Sequence, residues 1–350
     1  MVVFAVYPFA AALFREADIP KRLIPGAIAL GSFTFTMDAF PGTPQIQNII
    51  PTSFYGTTSY AAPIAGLLGG AFIFLSGMLY LDWRRKKALG KGEGYGSHVL
   101  NEQVTGEERI LPKWYIGIIP LCSILLMNFY LSRIFRWDNS LLEPLAGMKL
   151  PLMVAEVNRV IGIWSLIIAL SIGIVIAYLL GHKNIPKSGG LQRALTAGVA
   201  GSLLAIMNTA SEVGYGNVIA ALDGFKTIAH FLIGLQIGGT PLVSEAVSIT
   251  TIAGITGSAS GGMSIALDLM SKEWLAWAHS IGMSPDILHR VASMASGGFD
   301  TLPHNGAVIT LLAVCGLTHR ESYLDIGVIT LMKTAIVFVI IALYCITGIY

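Results

Sequence analysis

The chain has 350 residues, of which 54% are hydrophobic and only 12% charged, against about 25% charged in an ordinary soluble domain. With a mean hydropathy of +0.69 it is too apolar to persist as a solvated, disordered polymer and too poor in charge for a water-soluble globule. Twenty-two basic against 20 acidic residues leave a net charge of +2, without the basic footprint that a nucleic-acid partner requires. The class that remains is a polytopic membrane protein.

A hydrocarbon core about 30 Å thick takes roughly 20 apolar helical residues to cross, so uncharged runs are the first thing to locate. Residues 2–14 form a short run with no basic segment before it and no small-residue cleavage site after it, so it reads as a span, not a leader. Beyond Arg15, Lys21 and Arg22 comes an uncharged stretch at 23–37, closed by Asp38. The next charge is Asp82, which makes Asp38 the most isolated acid in the chain. Between them, Pro41, Pro44 and Pro51 predict a broken helix, because proline removes a backbone donor and clashes inside a continuous one. The same stretch is rich in neutral hydrogen-bonding groups: Thr43, Gln45, Gln47, Asn48 and Thr52.

Residues 61–81 carry no charge over 21 positions and predict a full span. The connection 82–113 then holds seven basic residues, which places it on the cytoplasmic side. A span at 114–132 follows, and the more evenly charged loop 133–159 is extracytoplasmic on the same count. Further uncharged runs lie at 160–181, 194–211, 227–244, 246–267, 303–318 and 334–350, giving eight to eleven expected membrane segments, some of them broken. Cys122, Cys315 and Cys345 all sit in apolar runs without metal-like spacing and read as buried thiols.

One pattern occurs twice. Asp38-Ala39-Phe40-Pro41 returns 262 residues later as Asp300-Thr301-Leu302-Pro303, each after an apolar stretch with small or hydroxyl residues. Matched interruptions in two halves are the best sequence pointer to the binding site of a secondary transporter, since broken helices free backbone groups that only protein or a polar cavity can satisfy at membrane depth. The chain divides accordingly into a first repeat, 1–130, including the cytoplasmic loop 82–113; an extracytoplasmic loop and linking span, 131–192; and a second repeat, 193–350. The small-residue element 256–262 has its counterpart before Met1, so the first repeat is expected to be N-terminally incomplete.

Ionisable groups at membrane depth are costly and point to function. Asp38, Asp300 and Glu212 are therefore the candidates for proton carriage. Thr43, Gln45 and Asn48, with Ser258, Ser260, His304 and Asn305, are candidates for contact with substrate hydroxyls or carboxylate. Each has a structural alternative: an acid can cap a helix, polar groups can join helices, and the segment 256–264 suits equally a hairpin tip facing an anion or close helix packing. Lys226 and Arg290 read as interfacial anchors.

Residues 42–52 (Gly-Thr-Pro-Gln-Ile-Gln-Asn-Ile-Ile-Pro-Thr) and 295–306 (Ala-Ser-Gly-Gly-Phe-Asp-Thr-Leu-Pro-His-Asn-Gly) resemble the gluconate permease family of proton symporters. The resemblance extends through 257–262 and the basic loop, over essentially the whole chain, and departs from the family pattern at the start, where the first few spans are missing. It implies an all-α polytopic carrier of the ion transporter superfamily, with inverted repeats and re-entrant hairpins. Such a carrier, multi-pass in the inner membrane, takes gluconate or a related small hydroxycarboxylate inward with protons and is not an enzyme. Members of the family differ in substrate, among them sugar acids, 3-hydroxybutyrate and D-serine. The expected partners are that substrate and the lipid bilayer, with a homo-oligomer left open; no cofactor or metal is expected beyond the coupling proton. Sodium coupling stays an alternative, because unwound carbonyls and Asp oxygens also suit Na⁺. An intramembrane enzyme using Asp38 and Asp300 as an acid pair is the other, although no nucleophile elbow, metal motif or cofactor fingerprint accompanies it.

Overall fold

A computed structural model describes residues 2–98, 114–138, 160–182, 190–224 and 239–350, together with positions 140, 227, 231 and 232. Among these residues every regular element is helical: α1 (Val2–Glu16), α2 (Ile24–Ser32), α3 (Ile46–Tyr55), α4 (Pro63–Leu89), α5 (Trp114–Phe129), α6 (Ile161–Gly181), α7 (Gly190–Ala220), α8 (Pro241–Thr256), α9 (Ala259–Ser280), α10 (Pro285–Ser296), α11 (Gly306–Cys315) and α12 (His319–Thr347). The fold is all-α, as the sequence predicts.

Among the described residues four helices are long and apolar enough to cross a membrane: α4, α5 with the π-helical turn that continues it to Ile134, α6 and α12. Leu67, Leu75 and Leu79 on α4, Leu121 and Leu126 on α5, Ile174 on α6 and Leu331 on α12 are exposed on the protein surface. A water-soluble protein would bury most of such a surface; here lipid is its natural solvent. Cys122 and Cys345 share these surfaces, and only Cys315 is buried. The expectation of three buried thiols therefore fails for two of them, because a helix facing lipid leaves apolar side chains outside.

Several apolar runs that read as single spans are divided. The run at 23–37 is helical only to Ser32, and 246–267 is split by Gly257 into the hairpin α8–α9. Gly257 takes φ +66°, a left-handed conformation that costs glycine little, and Ser258 then caps α9 by accepting from the Gly261 amide. The run at 303–318 yields only the ten-residue α11, capped at its start by Asn305 and closed by Gly316. Residues 228–230 and 233–238 of the run 227–244, the loops 99–113 and 141–159, and Lys226 lie outside the described residues.

The 262-residue offset recurs in the helices themselves. Subtracting it from the bounds of α10, α11 and α12 gives 23–34, 44–53 and 57–85, next to α2 (24–32), α3 (46–55) and α4 (63–89). The mates α4 and α12 pack on each other in opposite directions. Arg84 meets Asp325 at one end, whereas the Gly69 backbone lies against Ile340 further along. Antiparallel mates are what an inverted repeat requires. The main core is built where α8, α9 and α10 close on α3 and α12, with Ile249, Met263, Leu288 and Val291 fully buried.

At one end of α4 the charges form a network. Arg84 Nε is 2.6 Å from Asp325 Oδ1, Tyr80 donates to the same oxygen at 2.9 Å, and Arg22 binds Glu93 at 2.6 Å. The Arg22 guanidinium holds the Glu93 carboxyl below the usual carboxylate range. Arg15, Lys21, Arg22 and the start of the basic connection 82–113 gather at this end.

Candidate functional site

Both Asp-containing breaks are ordered, and they lie side by side. After Ser32 the chain turns through residues 33–45 before α3 starts; after Ser296 it passes through a short 3-10 turn, Phe299–Thr301, before α11. Asp38 is 1% exposed, and its Oδ1 has no hydrogen-bond partner. Its backbone carbonyl accepts from Ser293 Oγ at 2.8 Å and from Arg290 Nη1 at 3.4 Å. Asp300 is ion-paired at 2.8 Å with Lys333, itself 2% exposed, and Lys333 also donates to the Phe33 carbonyl at 2.8 Å. One ammonium group thus holds the end of α2 in the first repeat and the acid of the second. Asp38 lies within electrostatic reach of Lys333, Asp300 and Arg290.

The backbone of Gly297 touches the Asp38 carboxylate so closely that a Cβ there would overlap Oδ2. Gly297→Ala is therefore expected to push Asp38 aside at a cost of about 1–3 kcal/mol, the usual range for overpacking a filled site. Thermal unfolding of the purified variant measures it; an unchanged midpoint would mean that the carboxyl has room to move.

Arg290 is fully buried, not interfacial. Its guanidinium donates to the carbonyls of Ala61 (3.1 and 2.7 Å), Ser59 (3.2 Å) and Asp38, and to Asn48 Oδ1 at 2.9 Å. Five donors in a rigid fork suit this task. It satisfies the backbone freed where the first repeat is irregular, and so replaces the water that the membrane does not supply. Gly66 lets the pieces approach, since a Cβ there would meet the Ala39 carbonyl and the Arg290 side chain.

The residues expected to contact substrate divide into two groups. Ser258, Ser260, His304 and Asn305 come together around the Gly257 turn: His304 Nε2 lies 3.0 Å from the Gly254 carbonyl, and Asn305 Nδ2 donates to the Gly257 carbonyl at 2.5 Å. This ties the hairpin tip to the segment after Asp300, and Thr250 reinforces it by donating to the Ala295 carbonyl at 3.1 Å. In the first repeat Thr43 donates to the Thr36 carbonyl at 2.6 Å, and Gln45 is exposed at the start of α3. Asn48 is fully buried and has all its capacity in use. It donates to the carbonyls of Thr43 and Ser59 and receives Arg290, with His289 3.3 Å away. In this structure Asn48 is a junction of the protein with itself, not an open contact. Glu212 falls within α7, but its side chain lies outside the described residues.

Two buried charged side chains escaped the sequence reading, Lys333 within the site and Glu245 outside it. Lys333 stands alone in an uncharged stretch from Ile326 to the end of the chain, and taking it as the border of a span hid it; counting the wider stretch would have exposed it. Glu245 similarly separates two uncharged runs. It is 0% exposed, with Oε1 accepting from Tyr55 at 2.5 Å and Oε2 unpartnered. Among the described residues no cluster of three or more His, Cys, Asp or Glu could hold a metal ion.

Long lipid-facing helices, antiparallel repeat mates and two broken helices meeting over buried charges define an all-α polytopic membrane protein with a transporter-like core. No protein-family model and no solved structure matches the chain. It is 49% identical over 359 aligned residues to the uncharacterised transporter YxjC of Bacillus subtilis (strain 168), an alignment that covers 99% of this chain and 75% of that protein. The chain belongs to the family of that transporter.

Proposed function

We propose that the protein is a secondary carrier, not an enzyme, that moves gluconate or a related small hydroxycarboxylate across the inner membrane together with protons. The observation that carries this reading is the Asp300–Lys333 pair beside Asp38, whose Oδ1 is unpartnered. A buried ammonium needs an anion, and Asp300 supplies it when no substrate is bound. Protonation of Asp300 turns its carboxylate into a neutral acid and leaves Lys333 free to pair with a substrate carboxylate. One proton and one anion then enter together, and the charge of the site is the same before and after. Asp38, next to the pair, is the second group able to take a proton, and Glu212 is held in reserve. Ser258, Ser260, His304 and Asn305 at the hairpin tip, and Thr43 and Gln45 in the first break, offer neutral groups for substrate hydroxyls. Asn48 acts by holding this frame. The resemblance at 42–52 and 295–306 supports the choice of a hydroxycarboxylate.

Uptake of labelled gluconate and 3-hydroxybutyrate into proteoliposomes tests the reading. Accumulation should require an inward proton gradient and collapse with a protonophore, whereas uptake that follows sodium at fixed pH would replace proton with sodium coupling. Asp38→Asn is expected to abolish uphill uptake and to spare some exchange, and full accumulation by this variant would remove Asp38 from the mechanism.

A further inference from the structure

Glu245 has no part in the site just described, yet its surroundings are as unusual as those of Asp38. It lies on α8 in the second repeat, and its only hydrogen-bond partner among the described residues is the Tyr55 hydroxyl from α3 in the first. Its other oxygen, Oε2, is buried and unpartnered, and so is Ser248 Oγ one helical turn along α8. No cation faces it. Of the elements packed on α8, α9 exposes Asp268, Lys272 and Glu273 at the surface, α10 commits His289 and Arg290 to the first repeat, and α12 commits Lys333 to Asp300. An ionised carboxylate in that position would be a buried charge without a counter-ion, which proteins avoid by neutralising the group. Tyr55 uses its proton on Oε1, which leaves two free oxygens, far fewer than the six or more that a hard metal cation such as Ca²⁺ collects. A proton needs only one.

We propose that Glu245, with Tyr55, forms a second proton-carrying site in the seam between the two repeats. The proton resides on Oε2 when the seam is closed and leaves to water when α8 and α3 part, so that COOH becomes COO⁻ and H⁺ while the Tyr55 hydroxyl keeps its own hydrogen. Glu245 is thus a proton ligand separate from the Asp300–Lys333 pair. The inference rests on the reading of the chain as a proton-coupled carrier, but occupancy of the site can be measured without any substrate.

Infrared difference spectroscopy of the full chain in lipid, titrated through neutral pH, tests it. The wild type should show a carboxylic-acid C=O band that vanishes reversibly at alkaline pH, and Glu245→Gln, which keeps the size of the side chain, should lose that component. Tyr55→Phe should keep the band but displace it, because the hydrogen bond to Oε1 is gone. A spectrum that is the same in Glu245→Gln and wild type throughout the titration would overturn the proposal. So would a band that is lost in Glu245→Gln while the variant keeps wild-type proton-driven accumulation, since that proton would be static. A titrating Glu245 band in a wild-type protein whose uptake ignores protons would uphold the site and overturn the symport reading instead.

Discussion

Replacing Arg290 by methionine is expected to remove most of the protein from the folded, monodisperse fraction after detergent extraction. Methionine fills much of the same volume, so the loss isolates the guanidinium hydrogen bonds. Three backbone carbonyls and the Asn48 side chain lose a charged donor at once; Asp38, Ser59 and Asn48 keep Ser293, Gly42 and His289 as partners, whereas the Ala61 carbonyl loses both bonds described for it. Hydrogen bonds to a charged group contribute about 1.5–3 kcal/mol each and a buried acceptor left unmade costs about 1–3 kcal/mol, which together are a large part of the roughly 5–15 kcal/mol by which a native protein is stable. Arg290→Lys should fall in between, because one ammonium cannot reach carbonyls that a planar fork bridges. Size-exclusion profiles after stepwise heating give the comparison. A melting midpoint for Arg290→Met within about 2 °C of wild type, equivalent to 1 kcal/mol or less, would mean that the carbonyls find other partners and that Arg290 is not the keystone of the first break.

The second large effect lies in the Asp300–Lys333 pair. Asp300→Asn and Lys333→Met each leave one buried charge without its partner, an arrangement that typically costs about 3–5 kcal/mol. The double variant removes both charges and should be far more stable than the sum of the single losses implies, since replacing a whole buried pair is often neutral. It should nevertheless be inactive in uphill uptake, because the exchange of Asp300 for a substrate carboxylate has been deleted. Stability and uptake of the four proteins form a complete cycle. Additive losses would show that the two side chains do not depend on each other, and a stable, active double variant would leave the charge exchange without a role.

The elements that the sequence disclosed are those in which a local signal coincides with the global one. Residues 61–81 and 160–181 are long, uncharged and uninterrupted, and they fold as single helices. The Asp-x-apolar-Pro pair was legible because repetition adds information that one copy lacks. The divided runs were harder. In 246–267 the small-residue segment 256–264 suits equally a hairpin tip and close packing of one span, and only the left-handed backbone at Gly257 and the residues opposite it decide for the hairpin. Arg290 and Lys333 were misplaced for a related reason. Sequence counting treats a charge as the end of a membrane segment, whereas a charge inside the protein can be neutralised by a partner far away in the chain, such as the Ala61 carbonyl or the Asp300 carboxylate. Asn48 looked like a ligand because its polarity was visible and its four partners were not.

The two breaks are related by the same offset but not by the same chemistry. Shifted back by 262 residues, Arg290 falls on Ile28 and Lys333 on Ala71. Both cations therefore belong to one copy of the duplication, and the first copy has its irregular backbone completed by the second. The irregular backbone at 33–61 thus depends on cations supplied from 290 and 333, far along the chain. In a carrier that works by swapping the conformations of its halves, such asymmetry also makes the two resting orientations unequal in free energy. That inequality sets which orientation the resting protein populates more, while the net direction of any transport is set by the gradients alone.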